Sequence, residues 1–348
     1  MNAWTLSAES QTSKARGGRR RGLGREGVRA CHNRWTMSKV AVVGAGAVGT
    51  AIAYAAQIRG VCRQLALFDL NADKVRAEVL DLNHGMQFTP MAQITGSDDL
   101  EVCGDADVVV ITAGAKQKPG QTRLDLAAAN VAMCRDLVPT LVGLAPEALL
   151  LVVTNPVDVV TYAAQQFSGL SPHRVFGSGT VLDSSRLRFL IAEHTGVAVQ
   201  NVHAYIAGEH GDSEVPLWST ATIGGVPVQD WVSAGESPLD EAVRARIYNQ
   251  VLSSAYEIIA GKGATSLAIG LAISRILEAV LNDEHRVLPV TSRLDDVHGL
   301  TDVCLSMPSV VGRSGIERVL ATPLAADERD KLVASAATVR ATARALGL

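Results

Sequence analysis

The sequence predicts an α/β protein, in which a parallel sheet covered by helices on both faces is followed by a second domain of α+β type. Three observations lead to this prediction. From residue 39 onward, short apolar runs alternate with segments that have the helical period. The apolar runs show almost no polar alternation, which is typical of strands buried on both faces of a parallel sheet. After about Gly179 this rhythm ends and long helical patterns dominate.

The composition indicates a large core and narrows the classes of partner. Of the 348 residues, 47% are hydrophobic, and the formal net charge is −3. This length suggests two domains, because single cores stop growing near roughly 250–300 residues. The charge gives no reason to expect nucleic acid or a membrane as a partner, and the longest apolar runs are far shorter than the ~20 residues that cross a membrane. Five scattered cysteines without a CxxC pair indicate reduced, cytoplasmic thiols and no metal site.

The first 37 residues differ from the rest of the chain. The segment "SKARGGRRRGLGREGVRACHNR" is rich in Arg and Gly and lacks apolar periodicity, which predicts a disordered basic tail over residues 1–37. Three origins stay open for it: a translation-start artefact upstream of a natural start at Met37, a solvated basic arm, or an organelle transit peptide. The first is favoured, and we assign no function to the tail.

Residues 38–178 are expected to form the first domain. Short, nearly all-apolar runs predict buried strands at 40–43, 64–70, 107–115 and 148–156. Helical patterns between them include the segments at 73–85, closed by Gly85, and at 123–144. Strands that alternate with helices in this way form a parallel sheet.

A glycine motif stands between the first strand and the first helix, as Gly44, Gly46 and Gly49. G-x-G-x-x-G alone is weak, but here it follows a strand, opens a helix, and has Asp69 twenty residues further on. The glycines permit a tight turn, close approach of backbone N–H groups to a pyrophosphate, and close helix packing. We therefore predict a Rossmann dinucleotide-binding domain. Asp69 would bind a ribose diol and repel a 2′-phosphate, which favours NAD over NADP, while Lys74 either contacts the adenosine side or is an exposed helical lysine.

Residues 179–348 are expected to form an α+β substrate domain. Helical patterns cover 184–194, 239–260 and 266–281, and a short alternating strand is predicted at 302–310. A last amphipathic helix would place on one face Leu332, Ala336, Val339, Ala343 and Leu346.

An NAD-binding chain is expected to transfer hydride, which requires an acid/base, a partner for it and a cation for the substrate. His210 in "GEHGDSEVP" is a candidate acid/base, although a lone histidine in a glycine-containing loop is more often a turn residue. Asp183 and Arg186 stand at i and i+3 on one face of a starting helix; taken singly, they could be a helix cap and a surface ion pair. The sequence leaves open whether Glu209 and Asp212 tune the site or only shape the turn.

Five motifs in this order resemble the bacterial L-lactate dehydrogenases of the lactate/malate dehydrogenase family: the glycine motif, "AGAKQKPGQTRLDL", "TNPVD", "GSGTVLDSSRLR" and "GEHGDSEVP", with "KGATS" further on. The resemblance covers residues 38–348. It implies that His210 donates and accepts the proton of the substrate, with Asp183 as the partner that fixes its ring. It also implies that Arg186 clamps the substrate carboxylate and that Arg123 is a lid arginine that polarises the carbonyl.

The same resemblance implies a wider set of contacts and no metal. The substrate-binding positions would be Gln117, Arg123, Asn155, Asp158, Asp183, Arg186 and Thr265. The cofactor-binding positions would be Gly44, Gly46, Val48, Gly49, Asp69, Lys74, Gly114, Ala115, Val153, Thr154 and Asn155.

Gln117 bears on the choice of substrate. A malate enzyme of this family would place an arginine here to pair with the second carboxylate of oxaloacetate. Since glutamine is neutral, a dicarboxylate would lose a charge-assisted contact of ~1.5–3 kcal/mol, whereas a methyl group leaves no buried cation unpaired. The predicted substrate pair is therefore pyruvate and L-lactate.

Regulation and assembly are implied by the resemblance alone. Arg188 and His203 match positions that bind fructose 1,6-bisphosphate in allosteric bacterial members, but members without this regulation can carry the same residues. The resemblance further implies a cytoplasmic homotetramer with a place in glycolysis and fermentation.

Two other functions stay open at this point. The nearer is malate dehydrogenase, or another 2-hydroxyacid dehydrogenase. The more remote is an NAD-binding module without catalysis, which would be expected to have lost at least one of His210, Asp183, Arg186 and Arg123, whereas all four are present.

Overall fold

A sheet of nine strands runs through the described residues of the computed structural model, which are 38–115, 122–231 and 238–348. The strands are β1 (Lys39–Val43), β2 (Gln64–Phe68), β3 (Gln93–Ser97), β4 (Val108–Ile111), β5 (Leu149–Val152), β6 (Val175–Gly177), β7 (Val202–His203), β8 (Ile206–Ala207), β9 (Val215–Pro216), β10 (Thr222–Ile223), β11 (Val226–Pro227), β12 (Arg286–Leu294), β13 (Val303–Gly312) and β14 (Gly315–Val319). The helices are α1 (Ala47–Arg59), α2 (Ala72–His84), α3 (Arg123–Leu144), α4 (Val157–Ser168), α5 (Val181–Thr195), α6 (Glu241–Lys262), α7 (Leu267–Leu281) and α8 (Ala326–Ala345).

The first six strands are parallel and lie in the order β3-β2-β1-β4-β5-β6. The chain builds outward from β1 to β3 and then crosses to the other side of β1 with β4. Such a reversal leaves a crevice at the carboxyl ends of the strands, between β1 and β4, where ligands bind in open α/β sheets. The predicted fold class, a Rossmann sheet followed by an α/β C-terminal region, is confirmed.

Three antiparallel strands extend the same sheet, because β12 continues from β6 and is followed by β13 and β14. The junction rests on a single backbone pair, Thr291 with Gly177. The small sheets β11-β10-β7 and β8-β9 lie outside it. Since the large sheet continues across residue 178, the predicted division into domains at that position stays a prediction.

The core lies on both faces of the sheet, as the near absence of polar alternation predicts. Along β1, Val40 and Val42 pack into a cluster with residues of α1 and α7, whereas Ala41 and Val43 pack into a second cluster with residues of α3 and α4. All four side chains are fully buried. A strand that is buried on both faces gains hydrophobic stabilisation from every residue, which explains its apolar sequence.

Helix boundaries follow local capping chemistry. The Asn71 side chain accepts a hydrogen bond from the Lys74 N–H at the start of α2. A reciprocal capping box between Thr122 and Asp125 begins α3, at the residue where the sequence pattern placed it. Gly60, with φ of 63°, ends α1 in a left-handed conformation that glycine adopts without strain.

The sequence analysis was wrong in detail about several strands. The runs at 64–70, 107–115 and 148–156 were predicted too long: β2 ends at Phe68, β4 at Ile111 and β5 at Val152, and the described residues directly after them lie in loops at the carboxyl edge. The strand predicted at 302–310 is present as β13, but the alternation in its sequence is not an alternation of burial, since Cys304 and Ser306 are as buried as their apolar neighbours. The reason is that three helices, α4, α7 and α8, all pack against β13, and the Cys304 thiol contacts the Gln165 side chain of α4.

In the part of the chain that the structure describes, no helix is both long enough and apolar enough to cross a membrane. Four cysteines in that part, Cys62, Cys103, Cys134 and Cys304, are free and buried.

Candidate active site

The turn after β1 brings three stretches of backbone close together. Gly44 has φ of +106°, and an added Cβ would lie 2.7 Å from the Ala113 nitrogen. In the first turn of α1, a Cβ on Gly49 would lie 1.9 Å from the Gly44 oxygen. Around Gly46, by contrast, nothing lies within 4 Å of an added Cβ. Gly44 and Gly49 therefore serve packing, and Gly46 leaves room for a ligand beside the helix N-terminus.

Asp69 follows β2 directly and faces this turn. Its Oδ2 accepts a hydrogen bond from the Ala45 N–H at 2.9 Å, and its Oδ1 accepts one from the Asn71 N–H at 3.0 Å. The Lys74 ammonium lies 3.8 Å from Oδ2. Because each carboxylate oxygen has a second lone pair, the side chain can still accept hydrogen bonds from a hydroxyl-bearing ligand.

A cavity of about 890 Å³ extends from this turn to the other end of the crevice. Asp69 and Lys74 line one end, and Arg186, His210 and Thr265 line the other. The further predicted residues in its wall are Gly44, Gly46, Val48, Gly49, Gly114, Ala115, Val153, Thr154 and Asn155. Wall residues that the sequence analysis missed include Phe68, Ser178, Ile259 and Ile269, since small and apolar side chains carry no motif.

Hydrogen bonds between loops hold the middle of the wall. The Thr154 hydroxyl donates to the Ala113 carbonyl at 2.6 Å. The buried Asn130 donates to the Asn155 carbonyl at 2.7 Å and accepts from the Ala115 N–H at 2.7 Å. Asn130 was also missed, because a single asparagine within a helical pattern gives no signal of this role.

The residues at the far end of the cavity form a charged group. His210 Nδ1 lies 2.6 Å from Asp183 Oδ2, and Arg186 Nη1 donates to Asp183 Oδ1 at 2.7 Å. The start of α5 at Val181 puts the aspartate and the arginine on one face of the helix, one turn apart. Asp183 is 4% exposed, whereas the His210 side chain is 27% exposed. The carboxylate therefore lies behind the imidazole, whose other nitrogen is free to act in the cavity.

Asp158, in the first turn of α4, holds the backbone of the same loop. Its Oδ2 accepts from the His210 N–H at 2.7 Å, and its Oδ1 accepts from the Thr291 hydroxyl at 2.6 Å. The carboxyl is 2% exposed. It does not line the cavity, so the structure places this predicted substrate-binding residue behind the loop that carries His210.

The electrostatics of this group favour a protonated histidine. Burial alone would lower the pKa of His210, but the charge and hydrogen bond of Asp183 outweigh it and raise the pKa to about 9. Burial opposes ionisation of Asp183, but the charges of His210 and Arg186 prevail and lower the pKa of its carboxyl. Burial raises the pKa of Asp158 to about 6, although its hydrogen bonds oppose the shift. At neutral pH, the pair is thus an imidazolium beside a carboxylate.

Arg123, the first residue of α3, lies outside the cavity wall. Its Nη2 lies 2.8 Å from Asp212 Oδ2 and donates to the Tyr256 hydroxyl at 2.6 Å. The Tyr256 hydroxyl in turn donates to Asp212 Oδ1 at 2.9 Å. The arginine side chain is 59% exposed. The structure therefore brings Arg123 to the loop of His210 but not to the cavity itself.

The two acids that flank the histidine loop have different contacts. The Glu209 carboxylate accepts a hydrogen bond from the Ser213 hydroxyl within the turn. Its backbone N–H donates to the Ser335 hydroxyl at 2.8 Å, which ties the turn to α8. Glu209 thus shapes the turn, whereas Asp212 holds the arginine.

Of the three remaining predicted residues, the two that the structure describes are not brought to the cavity. Gln117 lies outside the described residues. Arg188 donates from Nε to the Ala204 carbonyl at 2.8 Å, and its guanidinium lies 4.7 Å from the centre of the Tyr205 ring. His203 is exposed on β7.

The crevice fits a dinucleotide with an unphosphorylated ribose. The open space around Gly46 lies at the N-terminus of a helix whose first N–H groups can bind phosphate oxygens. The Asp69 carboxylate bonds the Ala45 N–H of the same turn, lines the same cavity wall, and would repel a further phosphate. NAD would therefore be held by the glycine turn and by Asp69, and it would lie along the cavity that ends at His210.

Comparisons with known proteins agree with this geometry. Residues 38–177 match the lactate/malate dehydrogenase NAD binding domain, and residues 180–345 match the alpha/beta C-terminal domain of the same enzymes. An L-lactate dehydrogenase of Bifidobacterium animalis subsp. lactis is 55% identical over 311 residues, which are 89% of this chain and 97% of that protein. One of Acetivibrio thermocellus is 43% identical over 91% of this chain and 100% of that protein. The crystal structure of a lactate dehydrogenase from a Medee basin deep-sea metagenome library, 39% identical, superimposes with a TM-score of 0.86 over 90% of this chain and 100% of that one.

Proposed function

The chain belongs to the lactate/malate dehydrogenase family, and on that premise we propose that it is an NAD-dependent L-lactate dehydrogenase that interconverts pyruvate and L-lactate. One observation carries the proposal: a single cavity joins the glycine turn and Asp69 to Arg186 and His210. A chain with this cavity can hold a dinucleotide and a small 2-oxo acid end to end. The relatives named L-lactate dehydrogenase support this reaction over others of the family.

The proposed mechanism uses three side chains at the end of the cavity. When bound, NADH supplies the hydride. Arg186 holds the substrate carboxylate through its planar guanidinium while Asp183 fixes the other side of that group. The protonated ring of His210, anchored at Nδ1 by Asp183, donates the proton on Nε2 to the carbonyl oxygen and takes it back when lactate is oxidised. A residue in this role typically contributes ~10²–10⁴-fold to the rate.

Arg123 is proposed as a second cation at the carbonyl oxygen. Its guanidinium is held by Asp212, on the loop that carries His210, and by Tyr256 on α6. A change of rotamer that releases these partners would bring the charge to the substrate, where it would stabilise the negative oxygen of the transition state. Asn155 and Thr265, both in the cavity wall, are proposed to orient the substrate.

A comparison of substrates tests the proposed function. The purified protein should oxidise NADH with pyruvate at a higher kcat/KM than with oxaloacetate, and it should prefer NADH to NADPH. His210→Ala should abolish this activity while NADH binding is retained. A wild-type preference for oxaloacetate would show that the malate dehydrogenase assignment is the correct one. NADH binding without turnover of any 2-oxo acid would favour a non-catalytic module.

Gln117 is proposed to set the preference for pyruvate. Gln117→Arg would add a cation that a second substrate carboxylate can pair with, so the ratio of kcat/KM for oxaloacetate to that for pyruvate should rise. An unchanged ratio would contradict this role.

Fructose 1,6-bisphosphate is proposed as an activator that binds through Arg188 and His203. The guanidinium of Arg188, which bonds the Ala204 carbonyl only through Nε, and the exposed ring of His203 can both donate hydrogen bonds to a phosphate. Rates against pyruvate concentration, measured with and without the sugar bisphosphate at neutral and mildly acid pH, test the idea. Curves that coincide at both pH values would remove it.

A homotetramer in the cytoplasm is proposed on separate grounds. Apolar side chains are exposed on the packed helices α1 and α7, among them Tyr54, Ile58, Leu267 and Leu271. Such patches are typical of subunit interfaces, and a mass by light scattering four times that of the chain would agree with a tetramer.

The free, buried thiols suit a reducing compartment. We also propose residues 38–178 and 179–348 as the nucleotide-binding and substrate domains.

A further inference from the structure

Glu214 is a buried acid beside the charged group that the proposed mechanism does not use. It lies between the histidine loop and β9 and is 5% exposed. Within the described residues, its Oε1 is buried without a hydrogen-bond partner. One of its carboxyl oxygens lies within 4.8 Å of a carboxylate oxygen of Asp183 and of a ring nitrogen of His210. The sequence gives no sign of this burial, since a glutamate two residues after Asp212 looks like part of a polar turn.

The two cations near Glu214, His210 and Arg186, are already paired with another acid and compensate a negative charge on Glu214 only in part. Asp183, which lies within 4.8 Å of Glu214, is itself ionised, and both of its oxygens are already bonded by His210 and Arg186. Tyr248 on α6 donates its hydroxyl to the Glu214 backbone carbonyl at 2.5 Å and so does not reach the carboxyl through that bond.

Two further acids face the same region. Asp212 carries the charge that holds Arg123, and Asp158 lies behind the His210 backbone. Burial raises the pKa of Glu214 to about 9, the charge of Asp183 adds to the rise, and His210 and Arg186 oppose it. Geometry and charge thus agree that the side chain is a neutral acid near pH 7.

The neutral state has a consequence for substrate binding. With Asp183 negative and with Arg186 and His210 positive, these three groups carry one net positive charge, which matches one substrate carboxylate. A second negative charge on Glu214 would cancel it. In a buried site such a cancellation is costly to the binding of an anion, because screening by water is weak.

We propose that Glu214 is a positioning residue, kept uncharged so that Asp183, Arg186 and His210 together retain one net positive charge for the carboxylate of a 2-oxo acid. This inference rests on the proposed function, because it assumes that an anionic substrate binds at Arg186. Ionisation of Glu214 at alkaline pH weakens substrate binding in addition to the loss of the proton from His210. The residue acts through the charge of the site and not through contact with the reacting atoms.

The first test is a direct titration. The protein is labelled with ¹³C at the glutamate carboxyl carbons, and the NMR resonance that is missing from the spectrum of Glu214→Gln is assigned to Glu214. If Glu214→Gln folds poorly, Glu214→Met gives the same assignment. We expect the resonance to titrate well above pH 7. Titration near the ordinary value of a glutamate would overturn the proposal. Because this reading needs no turnover, it stands even if pyruvate is not a substrate, and the absence of pyruvate-dependent NADH oxidation would count against the proposed function instead.

The second test separates the electrostatic role from a merely structural one. Glutamine has the shape of the neutral acid and cannot ionise, so Glu214→Gln should keep kcat/KM for pyruvate within ~3-fold at pH 7. At pH 9.5, the KM of the wild type should rise by a further ~4-fold relative to the variant, because only the wild type gains the second negative charge. Profiles of KM against pH that superimpose would overturn the proposal, as would a variant that is impaired equally at every pH.

Discussion

Replacing Asp183 with asparagine removes the charge behind the His210 ring with little change of shape. In the wild type, the carboxylate bonds Nδ1 of the ring at 2.6 Å and holds the pKa of His210 at about 9. With an amide in place of the carboxylate, burial of the ring opposes its protonation, and no adjacent Asp183 charge offsets this effect. The pKa should fall to the ordinary 6.5 or below it.

The expected loss of kcat/KM in Asp183→Asn follows from these two pKa values. The difference between about 9 and 6.5 corresponds to ~3 kcal/mol of stabilisation of the imidazolium. At pH 8, the wild-type ring is almost wholly protonated, whereas only ~3% of the variant would carry the proton, so kcat/KM for pyruvate should fall at least ~30-fold. At pH 6, most of the variant is protonated, and the part of the loss that comes from protonation should be less than ~3-fold.

The assay is the rate of NADH oxidation with pyruvate in the free-enzyme limit, from pH 5.5 to 9. Asp158→Asn is the matched control, because that carboxyl is equally buried but bonds the backbone N–H of His210 and not its ring. Because the charge of Asp158 raises the pKa of His210 less than the charge and hydrogen bond of Asp183 do, the effect of Asp158→Asn should vary less with pH than that of Asp183→Asn. A deficit in Asp183→Asn that is the same at pH 6 and pH 8 would show that the aspartate only orients the ring, and the electrostatic reasoning would be refuted.

Three further substitutions follow from the geometry. Arg186→Lys should lower kcat/KM for pyruvate by ~10–200-fold with NADH affinity retained, since an ammonium cannot bond Asp183 and clamp a carboxylate in parallel; a matching loss of NADH affinity would argue against a substrate role. Gly49→Ala forces a Cβ against the Gly44 oxygen and should lower Tm by several degrees, at a cost of ~1–3 kcal/mol. The Cβ of Gly46→Ala contacts no other atom, so this variant should weaken NADH binding without a change in Tm. Calorimetry measures the first effect and NADH fluorescence the second, and equal Tm values for the two variants would contradict the packing argument. Asp69→Ser should raise the ratio of kcat/KM for NADPH to that for NADH at least ~10-fold, because a charge-assisted bond and a repulsion are both lost; an unchanged ratio would mean that Asp69 does not select the cofactor.

The Rossmann part of the fold could be predicted because its signals are local. The spacing of Gly44, Gly46 and Gly49 and the position of Asp69 are set by one turn and one strand. The start of α3 could be predicted too, since its capping box consists of two residues that are only three positions apart. The contact of Arg186 with Asp183 is likewise local, because one helical turn joins them.

The remainder depends on contacts that local patterns do not contain. Whether Glu214 is in water or buried depends on α5 and α6, whose residues Asp183 and Tyr248 lie beside it but are distant in sequence. The position of Arg123 outside the cavity depends on Asp212 and Tyr256, which come 89 and 133 residues later. The burial of β13 on both faces requires helices from three parts of the chain.

The hydrogen bonds that hold the loop of His210 also determine at what stage of the synthesis of the chain the site can form. Asp158 reaches Thr291 across 133 positions, and the Glu209 N–H reaches Ser335 across 126. A nascent chain that has emerged from the ribosome only as far as α6 already contains His210, Asp183 and Arg186, but not the strand and helix against which the loop is fixed. Such long-range contacts form late. A truncation before β12 would therefore keep the residues of the proposed mechanism and lose their arrangement.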